Sequence, residues 1–178
     1  MVAMAQFDQA SYAFYAAGTE SGSTQIGTTD TQTTLTVNTN LQARLLVQES
    51  NSGNGNFTSI NWEFNHNSGG WTAVFSAVNV LIATTDPGLT DLGDTTQRIG
   101  SGTFITPNQG VTTDGNTPNL SYSANEECEF LLSFKILGPD VSDGDEILLR
   151  IQGCDTFTLN ADINVNKPAT TRRIMSVT

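Results

Sequence analysis

The sequence has little positive charge: of 178 residues only seven are Lys or Arg against 18 Asp or Glu, giving a formal net charge of -11. That balance excludes the basic, aromatic-interleaved stripe by which proteins hold nucleic acid, because an acidic body repels phosphate backbones. Histidine is represented once, by His66, and no Gly-x-Ser-x-Gly elbow occurs, so a Ser-His-Asp site has almost nothing to be built from. The two cysteines, Cys128 and Cys154, are too few for a disulfide framework and lack the spacing of a zinc site. Cys128 shares the parity of Phe130 and Leu132 and reads as a small buried hydrophobe. No run is apolar for long enough to cross a bilayer. The first eight residues have neither a basic start nor an apolar stretch after it, so the expectation is a protein made and kept in a cytoplasm. Helical spacing of apolar residues is also missing, and the many Thr and Asn disfavour helix interiors.

What the sequence does have is a two-residue period. Leu41, Ala43, Leu45 and Val47 alternate with Gln42, Arg44, Leu46 and Gln48, and Ile60, Trp62 and Phe64 alternate with Asn61, Glu63 and Asn65. An Asn/Gly cluster over residues 51–56 separates these two runs, as expected for strands joined by a loop. Phe130, Leu132, Phe134 and Ile136 form a further row, followed after Gly138-Pro139-Asp140 and Asp143-Gly144-Asp145 by Ile147, Leu149 and Ile151. Phe157, Leu159, Ala161, Ile163 and Val165 continue the pattern as one strand, with one face on a core and the other in water. Trp71, Ala73 and Phe75 open another strand, and Trp62 and Trp71 both read as core anchors. Residues 84–125 are the longest weakly patterned region, with Ile99 to Ile105 as one strand at most. Such loops carry partner contacts more often than the elements they connect. The reading is all-β, one domain, with an N-terminal arm over 1–10, a sandwich over 11–166 and a basic tail over 167–178 that holds Lys167, Arg172 and Arg173.

Acidic residues gather in turns. Asp140, Asp143, Asp145 and Glu146 crowd one loop, and Asp86, Asp91 and Asp94 another, but neither matches the spacing of a twelve-residue calcium loop. Turn chemistry explains both sets, since Asp and Gly are favoured there for backbone reasons. His66 falls at a strand end, in phase with Trp62 and Phe64. No cofactor, metal or catalytic residue is expected from these patterns, and an enzyme is the weakest reading.

The run Leu41-Gln42-Ala43-Arg44-Leu45-Leu46-Val47, an Asn/Gly turn, Trp62-Glu63-Phe64 and Gly69-Gly70-Trp71-Thr72-Ala73-Val74 resembles the immunoglobulin-like domains recurrent in virion proteins of tailed bacteriophages. Residues 127–136, followed by Asp143-Gly144-Asp145-Glu146-Ile147-Leu148-Leu149-Arg150-Ile151, resemble the second half of that domain. The resemblance spans residues 12 to 165 and brings no catalytic residues. It implies an antiparallel immunoglobulin-like β-sandwich and a virion structural role. The form that suits a stand-alone domain is a decoration, or cement, protein assembled in the host cytoplasm onto the major capsid protein lattice of the head exterior. Expected partners exclude nucleic acid and membrane, and leave open both a homotrimer and a monomer with arms. The expected capsid contacts are Gln6 and Phe7 in the arm and Lys167, Arg172 and Arg173 in the tail. A tail- or fibre-associated module, and an adhesin-like module that recognises a host surface through residues 84–125, are the alternatives.

Overall fold

The computed structural model describes residues 4–58, 60–115 and 119–169, and among them the alternating runs form β-strands with no α-helix. The first half contains β1 (Phe7–Ala16), β2 (Gln25–Ile26), β3 (Thr33–Thr36), β4 (Asn40–Glu49), β5 (Gly55–Phe57), β6 (Asn61–His66), β7 (Trp71–Ala73) and β8 (Leu81–Ala83). The second half contains β9 (Thr103–Phe104), β10 (Val111–Thr112), β11 (Leu120–Tyr122), β12 (Glu126–Ile136), β13 (Glu146–Gln152), β14 (Thr156–Phe157) and β15 (Ala161–Asn166). Two sheets result. One runs β10-β12-β4-β1-β14, with β2 on β1 and with β8 and β9 on β12, and the other runs β3-β15-β13-β6-β7. Their central pairs are antiparallel, whereas the short outer strands β9, β10, β14 and β3 join in parallel. A small β5–β11 pair stands apart.

The inward rows meet in one core. Phe14, Leu45, Phe130 and Phe134 of the first sheet pack with Trp62, Leu149, Ile151 and Ile163 of the second, and all of them are buried. The parity expected for β4, β6, β12 and β13 is therefore observed, and the expected all-β class with it.

Three expectations are corrected. Strand β1 begins at Phe7, so residues 7–10 belong to the first sheet, not to an arm. The run from Thr156 to Val165 is two strands in different sheets, β14 beside β1 and β15 beside β13. Asp8 causes the break, accepting hydrogen bonds from the Thr158 amide at 3.1 Å and the Thr158 hydroxyl at 2.7 Å, while the Leu159 amide donates to the Gln9 carbonyl at 3.2 Å. Thirdly, Trp71 is not in the core. It pairs with Asn65 on the outer face of the second sheet, with the Arg150 guanidinium 3.9 Å from its ring centroid.

Candidate functional site

The outward row of β4 and β12 does not meet water: Gln42, Arg44, Glu129, Leu131 and Ser133 are all fully buried. The long segment between β8 and β11 covers them. Pieces of it pair with the outer side of β12: β10 beside Leu131 and Leu132, and β9 beside Glu126 and Glu127. Between those pieces the chain has little apolar surface, so polar side chains of the sheet hold its backbone instead.

Glu129 does most of this. One of its carboxylate oxygens accepts three consecutive backbone N–H groups, from Arg98 at 2.6 Å, Ile99 at 2.7 Å and Gly100 at 3.1 Å. The other accepts from Arg44 Nη1 at 2.9 Å. Arg44 is itself without exposure and also binds the Glu20 carboxylate, the Glu20 carbonyl at 2.6 Å and the Thr96 carbonyl at 3.0 Å. Below it, the Tyr15 ring lies 4.2 Å from the Arg98 guanidinium. Burial raises the Tyr15 pKa, although both arginines pull it down. Glu127 adds the Gly102 amide at 2.8 Å, and Asn108 exchanges hydrogen bonds of 2.8 Å with both backbone groups of Thr95. Each buried charge thus neutralises another charge or saturates the ends of a loop, the condition under which burial is tolerated.

The same chemistry accounts for the acidic sets. Asp86 is buried and accepts from Gln42 Nε2 at 3.0 Å, and Asp94 receives the Asn108 and Gln109 amides at 2.8 and 3.0 Å. Asp91 receives the Thr113 amide at 2.7 Å. These carboxylates hold loops, and Asp86 is not the solvated turn residue expected.

Close approach of the cover to β12 depends on Gly110. A Cβ there would lie 2.2 Å from the Glu129 carbonyl and 2.7 Å from the Thr95 hydroxyl. Gly110→Ala is therefore expected to cost about 1–3 kcal/mol or more through forced backbone shifts. Faster amide exchange at Leu131, whose N–H donates to the Gly110 carbonyl at 2.9 Å, is the local readout. Unchanged exchange and stability would show that the cover is not seated so tightly.

At the other end of the body His66 Nε2 lies 2.8 Å from Asp145, which also accepts from the Ser142 amide at 2.8 Å and Asn67 Nδ2 at 2.9 Å. These donors, the Ser142 amide first, hold the Asp145 pKa at about 2, below its ordinary 3.8. A depressed carboxylate stabilises the fold above its unfolded pKa and loses that contribution as pH falls through the folded value. Asp145→Asn should therefore melt below the wild type at neutral pH, and the gap should close as pH falls from 3.8 to about 2. A gap constant across that window would refute the assignment. Among the described residues no group of three or more His, Cys, Asp or Glu is placed to hold a metal ion. Both cysteines are free thiols, and burial raises the pKa of each, that of Cys154 to about 12.

The expected contact residues do not converge. Phe7 is buried among Phe57 and Tyr122, at centroid distances of 4.8 and 5.1 Å, so it serves the core. Gln6 is half-buried and tied to Glu49 and Ser50. Burial pushes the Glu49 pKa up, but four backbone N–H groups outweigh it and hold the carboxylate low. Lys167 donates through Nζ to the Val141 carbonyl at 2.7 Å and through its amide to Asp143 at 2.9 Å. Gln6 and Phe7 thus sit by the start of β12 and Lys167 by its end, about 30 Å apart for a strand of this length. Arg172 and Arg173 lie outside the described residues. Sequence reasoning missed the Arg44–Glu129–Glu20 cluster, whose only signal was a buried-strand parity shared by opposite charges on β4 and β12. No family model matches the chain, and neither a curated protein nor a solved structure does.

Proposed function

We propose that the protein is a bacteriophage virion structural protein, a capsid decoration (cement) protein that binds and stabilises the assembled head exterior. The observation that carries this reading is how the buried carboxylates are used. Glu49, Glu127, Glu129 and Asp86 all accept hydrogen bonds from the chain's own backbone or side chains. That is the investment of a rigid building block whose long loop is fastened down, as opposed to a pocket that keeps a titratable group poised for a substrate. The strand patterns of 41–74 and 127–151 support the phage resemblance, and two sheets between which the chain crosses repeatedly support an immunoglobulin-like sandwich as its finer form.

A protein that binds only the assembled lattice adds its binding free energy to the cohesion of the shell. Many copies make weak contacts collectively strong. Contacts at the two ends of the body, near Gln6 and near Lys167, would let one copy touch neighbouring capsid subunits. Mass spectrometry of purified virions with copy number per particle tests the proposal. Copies on the order of hundreds are expected for a repeated lattice site. A handful moves the assignment to the tail, and absence from every particle preparation ends it.

A further inference from the structure

Between Glu63 and Asp86 no side chain carries a formal charge, the longest such run in the chain. The fold places its middle on an edge. β7 closes the second sheet and pairs only with β6, through Glu63–Ala73, Phe64–Thr72 and Asn65–Trp71, so its other side meets no strand among the described residues. Natural sheet edges are guarded by being very short, as β7 is at three residues, or by Lys, Pro, an inward charge or a bulge. Of the side-chain guards none stands between Gly69 and Thr85, where the sequence has no Pro and no charged residue. Thr72 and Ala73 are exposed, Trp71 and Phe75 are half-buried, and Val78 is 86% exposed. The loop that presents Val78 ends at Val80, a β-branched residue held in the left-handed region at φ 59°. Such a conformation is costly and persists only where the surroundings impose it.

We propose that this edge is a self-association surface, on which β7 of one copy pairs antiparallel with β7 of a second copy about a twofold axis. A second copy is the occupant because the strand complements itself. Pairing centred on Thr72 sets Trp71 of each copy opposite Ala73 of the other, a large ring against a methyl group. On the opposite face it brings Thr72 against Thr72, a favourable cross-strand pair. An isologous contact of this sort uses one patch twice and closes at two subunits. Charge selects the same edge, since two bodies of net charge -11 repel one another over most of their surfaces and least where the surface is uncharged. Glu63, which lies in register with Ala73, and Arg150, which covers Trp71, neutralise each other at 2.8 Å. Arg150 also stacks on Trp71, so the ring is oriented before a partner arrives and loses little freedom on docking.

Sedimentation velocity of the full chain over a concentration series tests this. A reversible dimer is expected for the wild type. Ala73→Asp, at an exposed site and with an unchanged melting temperature as control, should weaken association about tenfold or more by setting a carboxylate against the partner's indole. Thr72→Cys gives an independent reading, because directly opposed residues of an antiparallel pair have Cβ atoms about 4.5–5.5 Å apart and should cross-link on mild oxidation. The native thiols are buried or half-buried with raised pKa values and do not compete. A wild type that stays monomeric throughout overturns the proposal. So does a trimer, an Ala73→Asp chain that associates like the wild type, or a Thr72→Cys chain that fails to cross-link.

Discussion

Replacing Glu129 with alanine is expected to destabilise the protein by about 3–5 kcal/mol, the cost of leaving a buried charge without its partner. Arg44 has no exposed surface on which to recover hydration, and Glu20 would be the one carboxylate left paired with its guanidinium. Three consecutive amides, of Arg98, Ile99 and Gly100, would lose their acceptor together. For a chain of this size each kcal/mol lowers the melting temperature by roughly 2–4 °C, so the expected drop is about 6–20 °C. Glu129→Gln keeps an oxygen for the amides and removes only the charge, and should fall between. Arg44→Met with Glu129→Leu removes both charges, and should cost less than the two single alanine changes added together. Thermal and urea unfolding measure all of these. An alanine variant within about 1 kcal/mol of wild type would mean that the cover is held by something other than this cluster.

Trp62→Ala should cost about 3–5 kcal/mol by a different route, the loss of a large buried side chain and the cavity left behind. Trp62 has no exposed surface and lies in the core shared by both sheets. Its indole N–H finds no hydrogen-bond partner, an expense already carried by the native fold. Trp62→Phe is therefore expected to be mild, because the smaller ring gives up packing but also removes the unsatisfied donor. The contrast with Trp71 is informative, since Trp71→Ala removes a half-exposed ring stacked on Arg150 and should cost much less than Trp62→Ala. Equal losses at the two tryptophans would contradict their placement on opposite faces of the second sheet.

Both variants probe positions whose local pattern looked alike. Arg44 and Glu129 stand in the polar phase of strands whose other phase is recognisably core, and alternation by itself does not say whether that polar phase meets water. Nothing within either strand says that residues 84–115 fold back over that face. The covering segment lacks an apolar period of its own because its seat is made of hydrogen bonds to its backbone, which leave little trace in side-chain sequence. Trp71 was misplaced for a related reason. A three-residue strand, Trp71–Ala73, has too few alternations to fix its phase, and its register against β6 decides the matter. The candidate contacts show the same limit: the expected arm over 1–10 includes Phe7, whereas the bulge between Gln9 and Ser11 lets β1 continue back to Phe7 with its ring in the aromatic cluster.

By itself the sequence determined the all-β class, the positions of β4, β6, β12 and β13, and which side of each faces the core, because alternation is a property of neighbouring residues and a pleat turns it directly into two faces. Tertiary structure alone decided that the second face of β4 and β12 is dry, that residues 156–165 divide between two sheets and that Gln6 and Phe7 lie at the opposite end from Lys167. Those outcomes rest on pairings between distant residues, such as Arg44 with Glu129, 85 positions apart, or Asp8 with Thr158, 150 apart. Their strength comes from exclusion of water once the chain has closed around them, and no local pattern encodes that condition.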